Sequence, residues 1–198
     1  MFITFEGVDW SGKSTQAALL AEWLATAGRK VLLTREPGGT PVAEAVRDVV
    51  LHGHDMTPWA EAALYAAARA DHVEHAIRPA LERGEDVVCD RYIDSSVAYQ
   101  GIGRGLGEER VRELNLMVTR DLLPDLTFLV LLDPEEARRR GAGQPDRIER
   151  EGDEFWSRVD QGFRSLSDAF PERIVPLDGG RTPDEIAEEV RDHVRRIL

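Results

Sequence analysis

Gly7-Val8-Asp9-Trp10-Ser11-Gly12-Lys13-Ser14 fits the pattern G-x-x-x-x-G-K-[ST], a phosphate-binding loop. Its glycines let the backbone bend round an anion without Cβ clashes, so that successive N–H groups point inward. Lys13 supplies a cation for terminal phosphates, and Ser14 a hydroxyl for Mg²⁺. The flanks suit the motif. Phe2-Ile3-Thr4-Phe5-Glu6 alternates as a strand does, and Thr15 to Leu24 carries apolar residues at helical spacing. Strand, loop and helix in that order put the positive end of the helix dipole on the phosphate site.

Outward from this loop, strand and helix signals alternate to the end of the chain. Helices are expected at Lys13 to about Ala27, Pro41 to about Leu51, Pro58 to about Arg83, Glu108–Arg120, Asp153–Ala169 and from Pro183 on. Short apolar runs at 31–34, 86–90, 126–132 and 174–177 read as further strands, the first of them buried. This predicts an α/β P-loop fold: a five-stranded parallel sheet with helices on both faces. The 198 residues form one expected domain, with a lid at about 138–150 around the breaker run Gly141–Pro145. Tyr99 to Gly105 reads as a flexible loop.

The net charge of −12 argues against nucleic-acid or anionic-membrane partners, so an anionic substrate must meet local arginines. Lys13 and Lys30 are the only lysines, and neither follows Asn, so the guanine-reading N-K-x-D motif is absent. The strands end Asp90-Arg91 and Asp133-Pro134, not Asp-Glu as in motor ATPases. A small kinase fits better, since it needs a second anion pocket. Tyr65, Arg69 and His72 share one helix face by spacing. Arg91 lies at a strand's C-terminal end, where open α/β sheets bind ligands. Arg138, Arg139 and Arg140 flank the breaker run, with Arg147 beyond. Asp133 reads as a helix cap, and the five histidines as structural or solvated groups. The lone Cys89 reads as a buried strand thiol, which suits a reducing cytoplasm. The first strand begins at once, so no leader is expected.

The P-loop with Phe5-Glu6, Arg35-Glu36-Pro37-Gly38-Gly39-Thr40, Tyr65 to Arg69, Asp90-Arg91-Tyr92, Tyr99 to Gly105 and Asp146-Arg147-Ile148-Glu149 occur in the order found in bacterial thymidylate kinases, which the chain resembles over residues 1 to about 150. The resemblance implies transfer of a phosphoryl group from Mg·ATP to dTMP, in a cytoplasmic homodimer. Gly7 to Thr15 would bind ATP. Asp9, Arg35, Pro37, Tyr65, Arg69, Arg91, Ser96, Tyr99, Gln100 and Glu149 would bind dTMP. Within that set, Arg35 and Arg91 would hold its phosphate, Tyr65 would stack on thymine and Arg69 would donate to a thymine carbonyl. Ser14, Asp9 and Glu149 would attend the metal. Lys13, Asp9, Arg91, Arg139 and Arg147 would be catalytic, with the transition-state arginine supplied from the lid. Trp10 stands where one branch of the family has Arg and the other usually has Gly. Another nucleotide or nucleoside kinase of this fold, or a non-catalytic ATP-binding switch, remains the alternative.

Overall fold

The structure is a computed structural model that describes residues 1–141 and 145–198. Its sheet has five parallel strands in the order β2 (Val31–Arg35), β3 (Asp86–Asp90), β1 (Phe2–Glu6), β4 (Leu126–Leu131), β5 (Ile174–Asp178). β1 pairs with β3 on one side and β4 on the other, and connections leave it in opposite directions. Such a switch opens a crevice at the strands' C-terminal ends, where the phosphate loop and Asp90-Arg91 emerge.

Both faces of the central strands are buried, which is why they read as near-continuous apolar runs. Ile3, Phe5, Val88 and Phe128 pack with Leu20 and Leu24 of α1 (Lys13–Thr26) and Val190 of α9 (Pro183–Arg195). Phe2, Val87 and Leu129 face the other layer, where Phe155, Val159 and Phe163 of α8 (Asp153–Ala169) lie. Side-chain caps start four helices where the sequence signals them. Thr40 caps α2 (Pro41–His52), Thr57 caps α3 (Pro58–His72), and Thr182 forms a reciprocal capping box with Glu185 on α9. Asp133 likewise caps α7 (Pro134–Arg140) through the N–H groups of Glu135 and Glu136. No helix among the described residues is long and apolar enough to cross a membrane.

Three local expectations are corrected. β2 is an edge strand, with Leu33 48% exposed, because among the described residues no strand pairs beyond it. The helix from Pro58 is not uniform: Val73–Ile77 widens to π geometry before α4 (Arg78–Glu82). Pro79 lacks an N–H and its ring crowds the preceding turn, and the wider turn just before it absorbs both. The expected loop at Tyr99 to Gly105 is mostly helical: α5 (Ile93–Ser96) continues as a π stretch over Val97–Gly103 before α6 (Glu108–Thr119). Its glycines serve close packing there. A Cβ on Gly103 would sit 2.8 Å from Phe155 Cε2 and 2.9 Å from Val159 Cγ2.

Candidate active site

The phosphate loop hugs the end of β4. Gly7 has φ +138°, and a Cβ there would lie 2.4 Å from the Val130 carbonyl oxygen, so only glycine fits. Gly12, at φ +102°, leads directly into α1, whose first N–H groups have no intrahelical acceptor. Lys13 Nζ donates to the Val8 carbonyl at 3.1 Å and lies 3.8 Å from Asp9 Oδ1. Burial, then the Arg91 charge, hold its pKa below the usual lysine value. Ser11 Oγ is buried without a partner among the described residues. Residues Asp9 to Gln16 line an outer cleft of about 1230 Å³, with Gly179, Arg181, Pro183 and Ile186 also on its wall.

Arg91 links this cleft to a second. It has φ +71°, and its Nη1 donates to the Gly7 carbonyl at 2.9 Å and Ser95 Oγ at 3.0 Å. Nη2 donates to Asp9 Oδ1 at 2.5 Å and to the Tyr99 hydroxyl at 3.3 Å, while that hydroxyl donates to Asp9 Oδ2 at 3.3 Å. Burial alone would raise the pKa of Asp9, but Arg91 and Lys13 outweigh it and hold it at about 2. Beneath, Glu6 accepts from Tyr92 N at 2.8 Å and from Ser95 Oγ. Burial, then the Asp94 charge, raise Glu6 to about 7.

The inner cleft, about 560 Å³, is walled by Pro37, Tyr65, Arg69, Ser96, Tyr99 and Gln100 among others. Arg69 is 2% exposed and largely committed to the protein. Nε donates to Glu36 at 2.6 Å, Nη1 to Ser96 Oγ at 2.8 Å and to Asn115 Oδ1, and Nη2 to the Tyr92 carbonyl at 2.8 Å. A guanidinium has five N–H groups, so one remains for a ligand. Gln100 Nε2 donates to Glu61 at 2.9 Å. Burial, then Glu61, push the Tyr65 phenol above its ordinary pKa, so it stays neutral.

Several expected residues sit elsewhere. Arg147 is not in the phosphate cleft. Its Nε donates to the Val50 carbonyl at 2.9 Å and its Nη2 lies 2.7 Å from Glu61 Oε2, in a buried ion pair. Arg139 faces solvent, 74% exposed and paired with Glu136. Its neighbour Arg140 lines the outer cleft and donates to the Gly179 carbonyl at 3.1 Å. Arg138 pairs with Asp153. Arg35 lies outside the inner cleft, paired with Glu44 at 3.2 Å, on an open groove shared with Ser14 and Asp90. Glu149 reaches the outer cleft but accepts from Trp10 Nε1 at 3.1 Å. Residues 142–144 of the expected lid lie outside the described residues.

Four residues escaped sequence reading. Asp90 accepts from the Ser14 hydroxyl, and its Oδ1 is buried without a partner among the described residues; the signal was an apolar strand ending in Asp. Arg47 Nη1 donates to the Pro37 carbonyl at 2.9 Å on the inner cleft. Glu61 and Asn115 are buried polar anchors on helices, with no motif to announce them. The cluster Glu36, His72 and Cys89 is buried and close-set. Glu36 already accepts from Arg69 and hydrogen-bonds His72 Nδ1, and His72 Nε2 bonds Thr34 Oγ1, so the group is structural.

Residues 5–190 match the family model described as thymidylate kinase. The chain is 51% identical over 197 residues to the thymidylate kinase of Exiguobacterium sp., covering 98% of this chain and 93% of that protein. It is 53% identical over 195 residues to that of Leifsonia xyli, covering 96% and 92%. The crystal structure of thymidylate kinase from Ehrlichia chaffeensis superposes with a TM-score of 0.81 at 35% identity, covering 98% of each chain.

Proposed function

The chain belongs to the thymidylate kinase family and phosphorylates dTMP with ATP, and on that premise we propose how its own residues carry the reaction. ATP occupies the outer cleft, with its phosphates on the backbone N–H groups of Gly7 to Thr15 and on Lys13. dTMP occupies the inner cleft. The observation that carries this reading is Asp9, which lines both clefts and is bonded there to Arg91 and Tyr99 of the inner one.

A phosphate monoester has a second pKa of about 6, so the dTMP oxygen is largely ionised at neutral pH and needs no general base. The obstacle is bringing two polyanions together. Lys13 and Arg91 supply fixed positive charge where they meet, with Arg140 at the edge of the outer cleft and Arg35 on the adjoining groove. Arg140 replaces Arg139 as the arginine for the transferred group, and Arg147 acts through the wall it anchors. Ser14 and Asp90 suit a hard divalent cation: a hydroxyl and a carboxylate with one oxygen unclaimed. Mg²⁺ held there would offset charge on the ATP phosphates.

In the inner cleft Tyr65 stacks on the base and the remaining N–H of Arg69 donates to its C4 carbonyl, which disfavours cytosine, whose amino group at that position cannot accept. Tyr99, locked to Asp9 and Arg91, disfavours a 2′-hydroxyl. ADP release with dTMP, dUMP, dCMP and UMP tests the pocket. dTMP should turn over fastest and dCMP and UMP at least 100-fold less efficiently, consistent with about 2.7 kcal/mol for an unpaired buried polar group. Equal turnover of dCMP would refute the role given to Arg69.

The protein acts as a homodimer in the cytoplasm. Packed neighbours α2, α3 and α6 carry exposed Val42, Val49, Trp59 and Met117, the last 75% exposed. A monomer in sedimentation equilibrium would exclude this interface.

A further inference from the structure

Trp10 is the phosphate-loop residue whose side chain has no part in the reaction described above. Its backbone has φ +64°, a conformation costly for a bulky side chain. Strain of that kind persists only where the surroundings hold it. Two contacts do so. The indole N–H donates to Glu149 Oε1 at 3.1 Å, and the ring lies against Gly141, where a Cβ would approach Nε1 to 3.2 Å.

The acceptor is itself fixed. Glu149 Oε2 accepts from Asp146 N at 3.0 Å, while Asp146 Oδ1 accepts from the N–H groups of Ile148 and Glu149 at 2.8 Å each. This reciprocal box leaves Oε1 for Trp10. On its other side the same turn is held by Arg147, through its N–H to the Leu51 carbonyl at 2.9 Å and its side chain to Val50 and Glu61. The turn is therefore a wall with two faces. Asp146 and Ile148 line the inner cleft, and Glu149 with Trp10 lines the outer one.

We propose that Trp10 is a positioning residue: its hydrogen bond to Glu149 ties the turn at Asp146–Arg150 to the phosphate loop, so that filling one cleft orders the wall of the other. The inference rests on the assignment of ATP and dTMP to the two clefts. A tie of this kind lowers the ordering cost that the second ligand meets, which is positive coupling without a new contact between ligands. Coupling is reciprocal, so either ligand can report it.

The test is calorimetric titration of dTMP in the absence and presence of a non-hydrolysable ATP analogue with Mg²⁺. In the native protein the analogue should tighten dTMP binding about 5–10-fold. Trp10→Phe keeps an aromatic ring and the loop backbone and loses the N–H; the ratio should fall to about 1–2. Trp10→Gly removes the costly φ as well, so its fold is secure, and it should lose the ratio equally. A merely structural role would shift both separate Kd values or the melting temperature and leave the ratio. The proposal is overturned if Trp10→Phe keeps the ratio, if the native protein shows none, or if the analogue's own Kd weakens as much as the ratio falls, which would make the indole a direct ATP contact. A native protein that binds dTMP and the analogue competitively would instead overturn the assignment of the clefts.

Discussion

Replacing Glu61 by Gln should destabilise the protein by about 3 kcal/mol and weaken dTMP more than ATP. Glu61 opens α3 and is 1% exposed. It accepts from Gln100 at 2.9 Å, from Arg104 Nε at 3.1 Å and Nη2 at 3.0 Å, and lies 2.7 Å from Arg147 Nη2. Removing one partner from a buried ion pair costs about 3–5 kcal/mol, because the other charge is left unpaired. Arg104 is partly protected: it retains Glu151 at 2.5 Å, and its guanidinium lies 4.7 Å from the Phe155 ring centroid. Arg147, 5% exposed, keeps the Val50 carbonyl as its one remaining side-chain partner among the described residues, so most of the cost falls there and the lower end of the range applies. At about 2–4 °C per kcal/mol for a chain of this size, the melting temperature should drop by about 6–12 °C. With a urea slope of about 2 kcal/mol/M, the midpoint should fall by about 1.5 M. Equilibrium urea unfolding followed by fluorescence reads this directly. KM for dTMP should rise because Gln100 and the Asp146–Arg150 wall both lean on Glu61, while KM for ATP changes little. The double variant Glu61→Gln/Arg147→Met should regain at least half the loss, since a methionine needs no counter-ion. A single-variant loss under 1 kcal/mol, or no recovery in the double variant, would refute the reasoning.

Arg140→Ala should lower kcat at least tenfold, whereas Arg139→Ala, one residue away and facing solvent, should leave it within about twofold; steady-state kinetics on the pair decides which arginine serves the transferred phosphate. Asp90→Asn should raise the Mg²⁺ concentration for half-maximal rate at least tenfold, with Ser14 no longer donating to a charged carboxylate; an unchanged Mg²⁺ titration would remove Asp90 from the metal site. Glu6, raised from 4.5 to about 7, holds more protons folded than unfolded between those values, so its contribution to stability is complete below pH 4.5 and lost as pH rises through 7. The stability difference between the native protein and Glu6→Gln should therefore change by on the order of 2–3 kcal/mol across that window, measured by urea unfolding at a series of pH values; a difference flat with pH would contradict it.

The loop, the parallel sheet and most helix starts are legible in the order of residues alone. These are local facts: glycine spacing, apolar runs, and Thr or Asp before Pro all act within a few residues. Strand ends at Asp90-Arg91 also follow from local pattern. Tertiary structure decided how charges are paired and which way they face. Arg139 and Arg140 are adjacent in sequence, yet about 100° of helix rotation sends one to solvent and the other to the cleft. Arg147 stands in a motif beside the substrate site, but its guanidinium turns to Glu61, 86 positions earlier in the chain, because a buried cation needs a buried anion. Asn115 and Glu61 gain their meaning only from arginines on other elements. The buried-looking run of β2 became an edge for a similar reason. Strand order is set by how distant segments pack against one another, and the apolar letters of a strand say nothing of what lies beside it.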